Sequence, residues 1–138
     1  MTNIAIAGAA GRMGQALLAA TQNAPDLKIT GATERLHSPA LGTRFGEATI
    51  NVDVASATRD ADVWIDFTTP AATLAALNAL SPKTRAAIIG TTGLTPDDEA
   101  KVTKAAKRLA IVRSGNFSLG VNLLAGLVRR AAQTLGPD

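Results

Sequence analysis

The residues with the most chemistry in this chain are three glycines spaced three apart, in Gly8-Ala9-Ala10-Gly11-Arg12-Met13-Gly14. They lie between a short apolar run, Ile4 to Ala7, and a stretch with helical spacing at Met13, Leu17 and Ala20. Each glycine has a physical task there. Gly8 permits a tight turn, Gly11 lets a ligand approach the main chain, and Gly14 lets the helix lie close to the strand. A helix start of this kind offers unpaired N–H donors and a partial positive charge, so it receives an anion. In the strand-to-helix setting that anion is the pyrophosphate of a dinucleotide. Such a site also needs an acid at the end of the next strand to hold the adenosine ribose, and Glu34 stands twenty residues beyond Gly14. Arg35 is its neighbour and Arg12 lies within the glycine loop. A carboxylate favours the 2′-hydroxyl of NAD, a guanidinium the 2′-phosphate of NADP. With both present, the chain is expected to accept NADH or NADPH. For Arg12 an ordinary surface charge is the less favoured alternative.

Two further loops follow apolar runs: Gly90-Thr91-Thr92-Gly93 after Ile89, and Arg113-Ser114-Gly115-Asn116-Phe117-Ser118 after Val112. Small residues let main-chain amides approach a flat nicotinamide, and Ser or Asn can bond its carboxamide. Read without further help, each loop serves as well for a turn as for a site. Asp66, Phe67 and Thr68 end a middle strand, where capping and packing are the favoured roles.

What is missing narrows the chemistry. There is no cysteine, hence no disulfide, no thiolate nucleophile and no cysteine-ligated zinc. A single histidine, His37, gives a metal site or a Ser-His-Asp triad little to work with. Without tyrosine there is no tyrosine-lysine acid/base pair, and without a Gly-Lys dipeptide there is no Walker-type phosphate loop. The formal charge of +3 comes from scattered basic residues, apart from a cluster over Lys101 to Arg108 that reads as a solvated helix face. Nucleic-acid recognition would want clustered cations with interleaved aromatics. No leader-like N-terminus and no membrane-length apolar run is apparent, so a cytoplasmic location is expected.

The elements that must hold these residues alternate. Strands are expected at Ile4–Ala7, Leu27–Thr33, Val63–Phe67, Ala86–Ile89 and Ala110–Val112, with a short one near Ile50 to Val54. Helices are expected over Gly11–Ala20, after Thr69-Pro70, from Thr95-Pro96 to Arg108, and from Val121 to Leu135 with Gly136-Pro137 as its stop. Thr69 caps with Pro70 at the first turn, while Asp97, Asp98 and Glu99 against Lys104, Lys107 and Arg108 match the helix dipole. Strands alternating with helices, and apolar on both faces, indicate an α/β fold: a doubly wound, mainly parallel Rossmann-type sheet with helices on both faces. One dinucleotide-binding domain over residues 1–138 is expected, with no second domain.

Taken together, these segments resemble the bacterial dihydrodipicolinate reductase (4-hydroxy-tetrahydrodipicolinate reductase) family of lysine and diaminopimelate biosynthesis. The motifs that carry the resemblance are GAAGRMG, Glu34-Arg35, Ile65-Asp66-Phe67-Thr68, Gly90-Thr91-Thr92-Gly93 and Asn116-Phe117-Ser118-Leu119-Gly120-Val121-Asn122, in the family's order from Met1 to Asp138. The resemblance implies that Gly8, Ala9, Ala10, Gly11, Arg12 and Met13 hold the pyrophosphate and that Glu34 and Arg35 meet the adenosine ribose. It places Gly90, Thr91 and Thr92, with Ser114, Gly115, Asn116 and Phe117, around the nicotinamide. The family's paired-histidine motif, its lysine and its carboxylate-gripping Asp-Ala-Pro-Ser-Gly-Thr loop have no counterpart here, and Ser114-Gly115 stands where Ala-Ala or Ala-Pro is common. The resemblance therefore implies the coenzyme half of a homotetrameric reductase. The catalytic residues and the dicarboxylate site would lie in a missing substrate domain, and the isolated chain would be an inactive monomer or weak dimer.

Two other functions fit the glycine loop. One is a stand-alone nucleotide-binding or sensor module without catalysis. The other is an S-adenosylmethionine-dependent methyltransferase, which also needs a glycine loop and a strand-end acid, though usually with tighter glycine spacing.

Overall fold

A computed structural model describes residues 1–136 of the chain. Its elements in order are β1 (Thr2–Ala7), α1 (Arg12–Gln22), β2 (Leu27–Thr33), β3 (Arg44–Phe45), β4 (Ala48–Asn51) and α2 (Val54–Thr58). They continue with β5 (Val63–Asp66), α3 (Pro70–Ala79), β6 (Ala86–Ile89), α4 (Pro96–Ala105), β7 (Ala110–Arg113) and α5 (Leu119–Leu135).

The seven strands form one sheet in the order β3-β4-β2-β1-β5-β6-β7. All neighbouring pairs are parallel except β3 with β4, a hairpin at the sheet edge whose two-residue turn starts at Gly46, φ 60°. The chain leaves β1 toward β2 on one side and later returns to β5 on the other. The strand order reverses between them, and in sheets of this topology ligands bind at that reversal, outside the carboxyl ends of the strands.

Two apolar layers sandwich the sheet. On one side α2, α3 and α4 cover Ala5, Ala7, Trp64, Ala87 and Ile89 through Ala76, Leu77, Leu80 and Val102. On the other, Leu17 and Leu18 of α1 join Phe45 and Leu41 over Ile4, Ile6, Ile29, Ala32 and Ile65. The central strands β1 and β5 carry apolar residues on both faces because each face of the sheet is covered. The expected doubly wound sheet with helices on both faces is what forms.

Three segments depart from expectation. The strand near Ile50 to Val54 ends at Asn51, and Val54 instead opens α2. The reason is Asp53, whose carboxylate accepts from the N–H groups of Ala55 and Ser56 and so caps a helix start. Helix α4 ends at Ala105 rather than Arg108. Arg108 lies beyond it and donates its guanidinium to the carbonyl of Leu77 in the last turn of α3, so this end of the basic stretch is structural rather than only solvated. The last helix begins at Leu119, two residues earlier than expected, because the Ser118 side chain accepts from the Val121 N–H. None of its described residues is buried, and β7 is largely exposed, so the expected burial of the last strand on both faces does not hold. Of the expected helix stop, Pro137 lies outside the described residues. Among the described residues no helix is long and apolar enough to cross a membrane.

A candidate dinucleotide site at the carboxyl edge of the sheet

The site starts from the turn between β1 and α1. Gly8 adopts φ 63°, a left-handed conformation that side chains resist, and the Gly11 N–H closes the turn on the Gly8 carbonyl at 2.9 Å. Gly14 is buried in the first turn of α1. A Cβ there would stand 2.5 Å from the Gly8 oxygen and 2.4 Å from the Ala9 oxygen. The close approach that requires glycine is therefore to the carbonyls of the turn, rather than to the body of the strand.

The main-chain donors of the loop can be accounted for one by one. Ala9 N–H goes to the Thr33 carbonyl at 3.0 Å, Ala10 N–H to Glu34 Oε2 at 3.1 Å, and Gly11 N–H to Gly8 as above. The Gln15 N–H returns to the Gly11 carbonyl at 3.0 Å. The first-turn amides of Arg12, Met13 and Gly14 have no acceptor among the described residues. The other four helices cap their first turn with Asp53, Thr69, Thr95 or Ser118. Helix α1 has neither a side-chain cap nor an acid in its first turn. Its positive end stays open and exposed, as an anion site requires. Gly11 permits approach to this end while contributing none of the free donors.

Glu34 sits just past β2, its main chain tied to β4 by an N–H bond to the Asn51 carbonyl at 2.9 Å. Besides Ala10, its carboxylate accepts from Arg35 N–H at 2.9 Å through Oε1. The acid expected at the ribose thus lies against the glycine loop, with Arg35, Arg12 and Met13 exposed around it. His37 has φ 65° in the turn that follows.

The strand ends on the other side of the reversal join this loop. The Thr68 methyl lies 3.0 Å from where a Cβ on Gly8 would be. A Cβ on Gly90 would fall 2.0 Å from the Phe67 ring, so only glycine lets that ring lie across the end of β6. Phe67 in turn meets Phe117 edge to face, with centroids 5.6 Å apart. Loops from β1, β5, β6 and β7 are thereby brought to one edge, and the candidate residues Gly8 to Met13, Glu34, Arg35, Gly90 to Thr92 and Ser114 to Phe117 share it.

Several side chains behave differently from the simplest expectation. Thr91 is buried, with its hydroxyl turned inward to that of Thr73 at 2.8 Å, so its loop can offer a ligand main chain but not that hydroxyl. Ser114 Oγ donates to the Asn116 carbonyl and accepts from the Asn116 N–H, while Asn116 Oδ1 accepts from Ser118 N–H at 2.7 Å. These polar atoms shape their own loop. Asp66 and Phe67 do cap and pack, with Asp66 Oδ1 receiving the Thr68 N–H and hydroxyl at 2.9 and 2.6 Å. Thr73 escaped the sequence reading; a polar residue on the apolar face of the helix after Thr69 was its only trace.

Residues 2–117 match the family model described as "Dihydrodipicolinate reductase, N-terminus". The chain belongs to the dihydrodipicolinate reductase family. It is 44% identical to 4-hydroxy-tetrahydrodipicolinate reductase of Methylocella silvestris, over 98% of this chain and 53% of that protein. With the enzyme of the same name from Anaeromyxobacter dehalogenans it shares 42% identity, over 99% of this chain and 53% of the relative. The chain thus spans about half the length of the curated relatives it matches. Among solved structures, dipicolinate-bound dihydrodipicolinate reductase from Paenisporosarcina sp. TG-14 superposes with a TM-score of 0.74 at 25% identity, covering 96% of this chain and 54% of that one. The Rex-family repressor RSP, solved with β-NADH, gives 0.64 at 17% identity over 98% of this chain and 62% of that one, a likeness of fold alone.

Proposed function

We propose that this chain is the coenzyme-binding half of a reductase that converts 4-hydroxy-tetrahydrodipicolinate, a cyclic imine dicarboxylate, to tetrahydrodipicolinate with NADH or NADPH, the 4-hydroxyl leaving as water. The observation that carries the reading is the bare, acid-free start of α1 behind the Gly8 turn, where three amides await acceptors beside the Glu34 carboxylate. The donor set fits a dinucleotide: neutral amides for a diphosphate, a carboxylate for ribose hydroxyls, and a small-residue edge for a planar ring.

In this reading the amides of Arg12 and Met13 hold the pyrophosphate. Glu34 accepts from the adenosine ribose, and Arg35 with Arg12 tolerates a 2′-phosphate. The main chain of Gly90 to Thr92 and the 114–117 loop, backed by Phe67 and Phe117, orient the ring and exclude water from one of its faces. When bound, the reduced nicotinamide supplies the hydride. The dicarboxylate grip and the proton would come from chain outside these residues, so residues 1–138 should bind coenzyme and turn over no substrate. A cytoplasmic location and a tetrameric whole protein belong to the same proposal.

Calorimetric titration of the chain with NADH and NADPH, beside S-adenosylmethionine, tests it. Heat from both dinucleotides and none from S-adenosylmethionine is the expected result. Silence from both dinucleotides would sink the proposal, and so would steady-state turnover of the dicarboxylate by residues 1–138 alone.

A further inference from the structure

Asp66, the last residue of β5, is fully buried. Carboxylates are almost never sealed away unless paired with a cation, because the charge loses its hydration. The ion pairs among the described residues involve Lys28 with Glu47, Arg59 with Asp60, Lys101 with Asp98 and Arg113 with Glu99. None reaches Asp66. Its partners are hydrogen-bond donors alone, and all of them fall on one oxygen: Thr68 N–H at 2.9 Å, Thr68 Oγ1 at 2.6 Å and Thr91 Oγ1 at 3.4 Å. The other oxygen, Oδ2, is buried with no partner. An unsatisfied buried acceptor of this kind is costly and asks for a reason.

A local cap does not supply one. Turning the chain from β5 toward α3 needs only the Thr68 N–H, and an uncharged side chain would serve. A cap also leaves unexplained the reach to Thr91, on the loop after β6, whose hydroxyl is 2.8 Å from that of Thr73 on α3. The Asp66 carbonyl holds the same loop by accepting Gly90 N–H at 2.8 Å. One residue therefore fixes two surfaces. By taking the Thr68 hydroxyl it turns the Thr68 methyl against Gly8, and by taking the Thr91 hydroxyl it helps hold the Thr91 side chain of the 90–92 loop inside.

We propose that Asp66 is a positioning residue for the coenzyme: its buried carboxylate locks the wall of the glycine turn and the 90–92 loop in register, so that pyrophosphate and nicotinamide are held together. The inference rests on the dinucleotide reading given above. It predicts the largest effect on a ligand that spans both loops, and a smaller one on a ligand whose phosphate reaches the glycine turn alone. The adenosine end, held by Glu34 on the far side of the glycine turn, should be indifferent to Asp66.

The test compares NADH with 5′-AMP on the wild-type chain, Asp66→Ala and Thr91→Val. Binding is measured below the unfolding transition, which the fluorescence of the single tryptophan, buried Trp64, reports. Asp66→Ala removes the acceptor from both loops and should weaken NADH about tenfold or more, and 5′-AMP, whose phosphate meets the glycine turn alone, by a clearly smaller factor. Thr91→Val keeps the Thr68 bonds and cuts the link to the second loop, together with the bond between Thr91 and Thr73. It should weaken NADH severalfold with 5′-AMP unchanged, and it serves as the test if Asp66→Ala does not fold. A purely structural role would lower thermal stability and leave the NADH to 5′-AMP ratio where it was. An unchanged ratio in every folded variant overturns the inference alone. A wild-type chain that binds neither ligand overturns the coenzyme reading and this inference with it.

Discussion

Replacing Gly14 by alanine should damage coenzyme binding more than it damages the fold. The added Cβ would stand 2.4 Å from the Ala9 oxygen, 2.5 Å from the Gly8 oxygen and 2.7 Å from the Ala9 carbonyl carbon. All three are main-chain atoms of the turn and cannot rotate aside. Bringing the nearest to 3.0 Å moves the start of α1 outward by about 0.6 Å, and ordinary contact takes about 1 Å. Overpacking of this size costs roughly 1–3 kcal/mol, and the helix preference of alanine over glycine returns about 1 kcal/mol. The net loss of stability is therefore about 0–2 kcal/mol, a few degrees in melting temperature for a domain of this size. Binding has no such offset. A shift of about 0.6 Å takes a charge-assisted N–H···O bond of about 2.9 Å to about 3.5 Å, where little of it remains, and each such bond contributes about 1.5–3 kcal/mol. NADH affinity should fall at least about tenfold. Calorimetry on the folded variant measures this, with Gly126→Ala as the control, since nothing lies within 4 Å of a Cβ there. An affinity for NADH within about twofold of wild type would refute the argument that the helix start must sit against the turn.

Glu34→Ala should lose about tenfold in NADH affinity and less in NADPH affinity if, as proposed, the carboxylate serves ribose hydroxyls and opposes a 2′-phosphate; parallel titrations would show it, and equal losses would count against the ribose role. Gly90→Ala must expel the Phe67 ring from its place and break its contact with Phe117, so denaturant unfolding should show a loss of about 1–3 kcal/mol. Thr95→Ala removes the side-chain acceptor for the Asp98 N–H at the start of α4 and should cost about 1 kcal/mol in the same assay. Hydrogen bonds from the Thr95 hydroxyl and then its N–H hold the Asp98 carboxyl below the usual aspartate range. A lowered folded value means stability that is complete above the ordinary aspartate value of about 3.9 and is lost as pH falls through the folded one. Asp98→Asn should therefore flatten the acid limb of the stability profile below about pH 4 and leave its shape at neutral pH unchanged.

The parts of the fold that were legible are those where one residue type answers one physical demand. Gly8 and Gly14 announce a turn and a close approach, Thr69-Pro70 and Thr95-Pro96 announce helix starts, and Ala86–Ile89 reads as a buried strand because nothing polar interrupts it. The segment from Leu36 to Asp60 was harder because its elements are too short for periodicity. Helix α2 has five residues and β3 has two. Val52 and Val54 favour a strand by composition, and the decision rests with the Asp53 cap. Gly31 in the interior of β2 held the missing information: a Cβ there would stand 1.8 Å from the Ala57 oxygen, so a helix must cross that strand closely.

At the candidate site, the placement of Glu34 against the glycine loop was readable from spacing, since one helix and one strand of ordinary length separate Gly14 from the end of β2. The inward turn of Thr91 was not, because it depends on Asp66 and Thr73, which are 25 and 18 residues away in sequence. Side chains of Ser114 and Asn116 that looked available for a ligand are committed to their own loop for a similar reason. A polar side chain in a tight turn finds the nearest main-chain partner first.

The central claim is that a diphosphate is received by the free amides at the start of α1. Amide proton–nitrogen spectra of the chain, recorded while NADH is added, test it residue by residue. The largest shifts should fall on Arg12, Met13 and Gly14, with smaller ones at Ala10, Glu34 and the Gly90–Thr92 loop. Were those amides to stay in place while others moved, for instance along Lys101 to Arg108, the coenzyme would bind elsewhere and the account would be wrong.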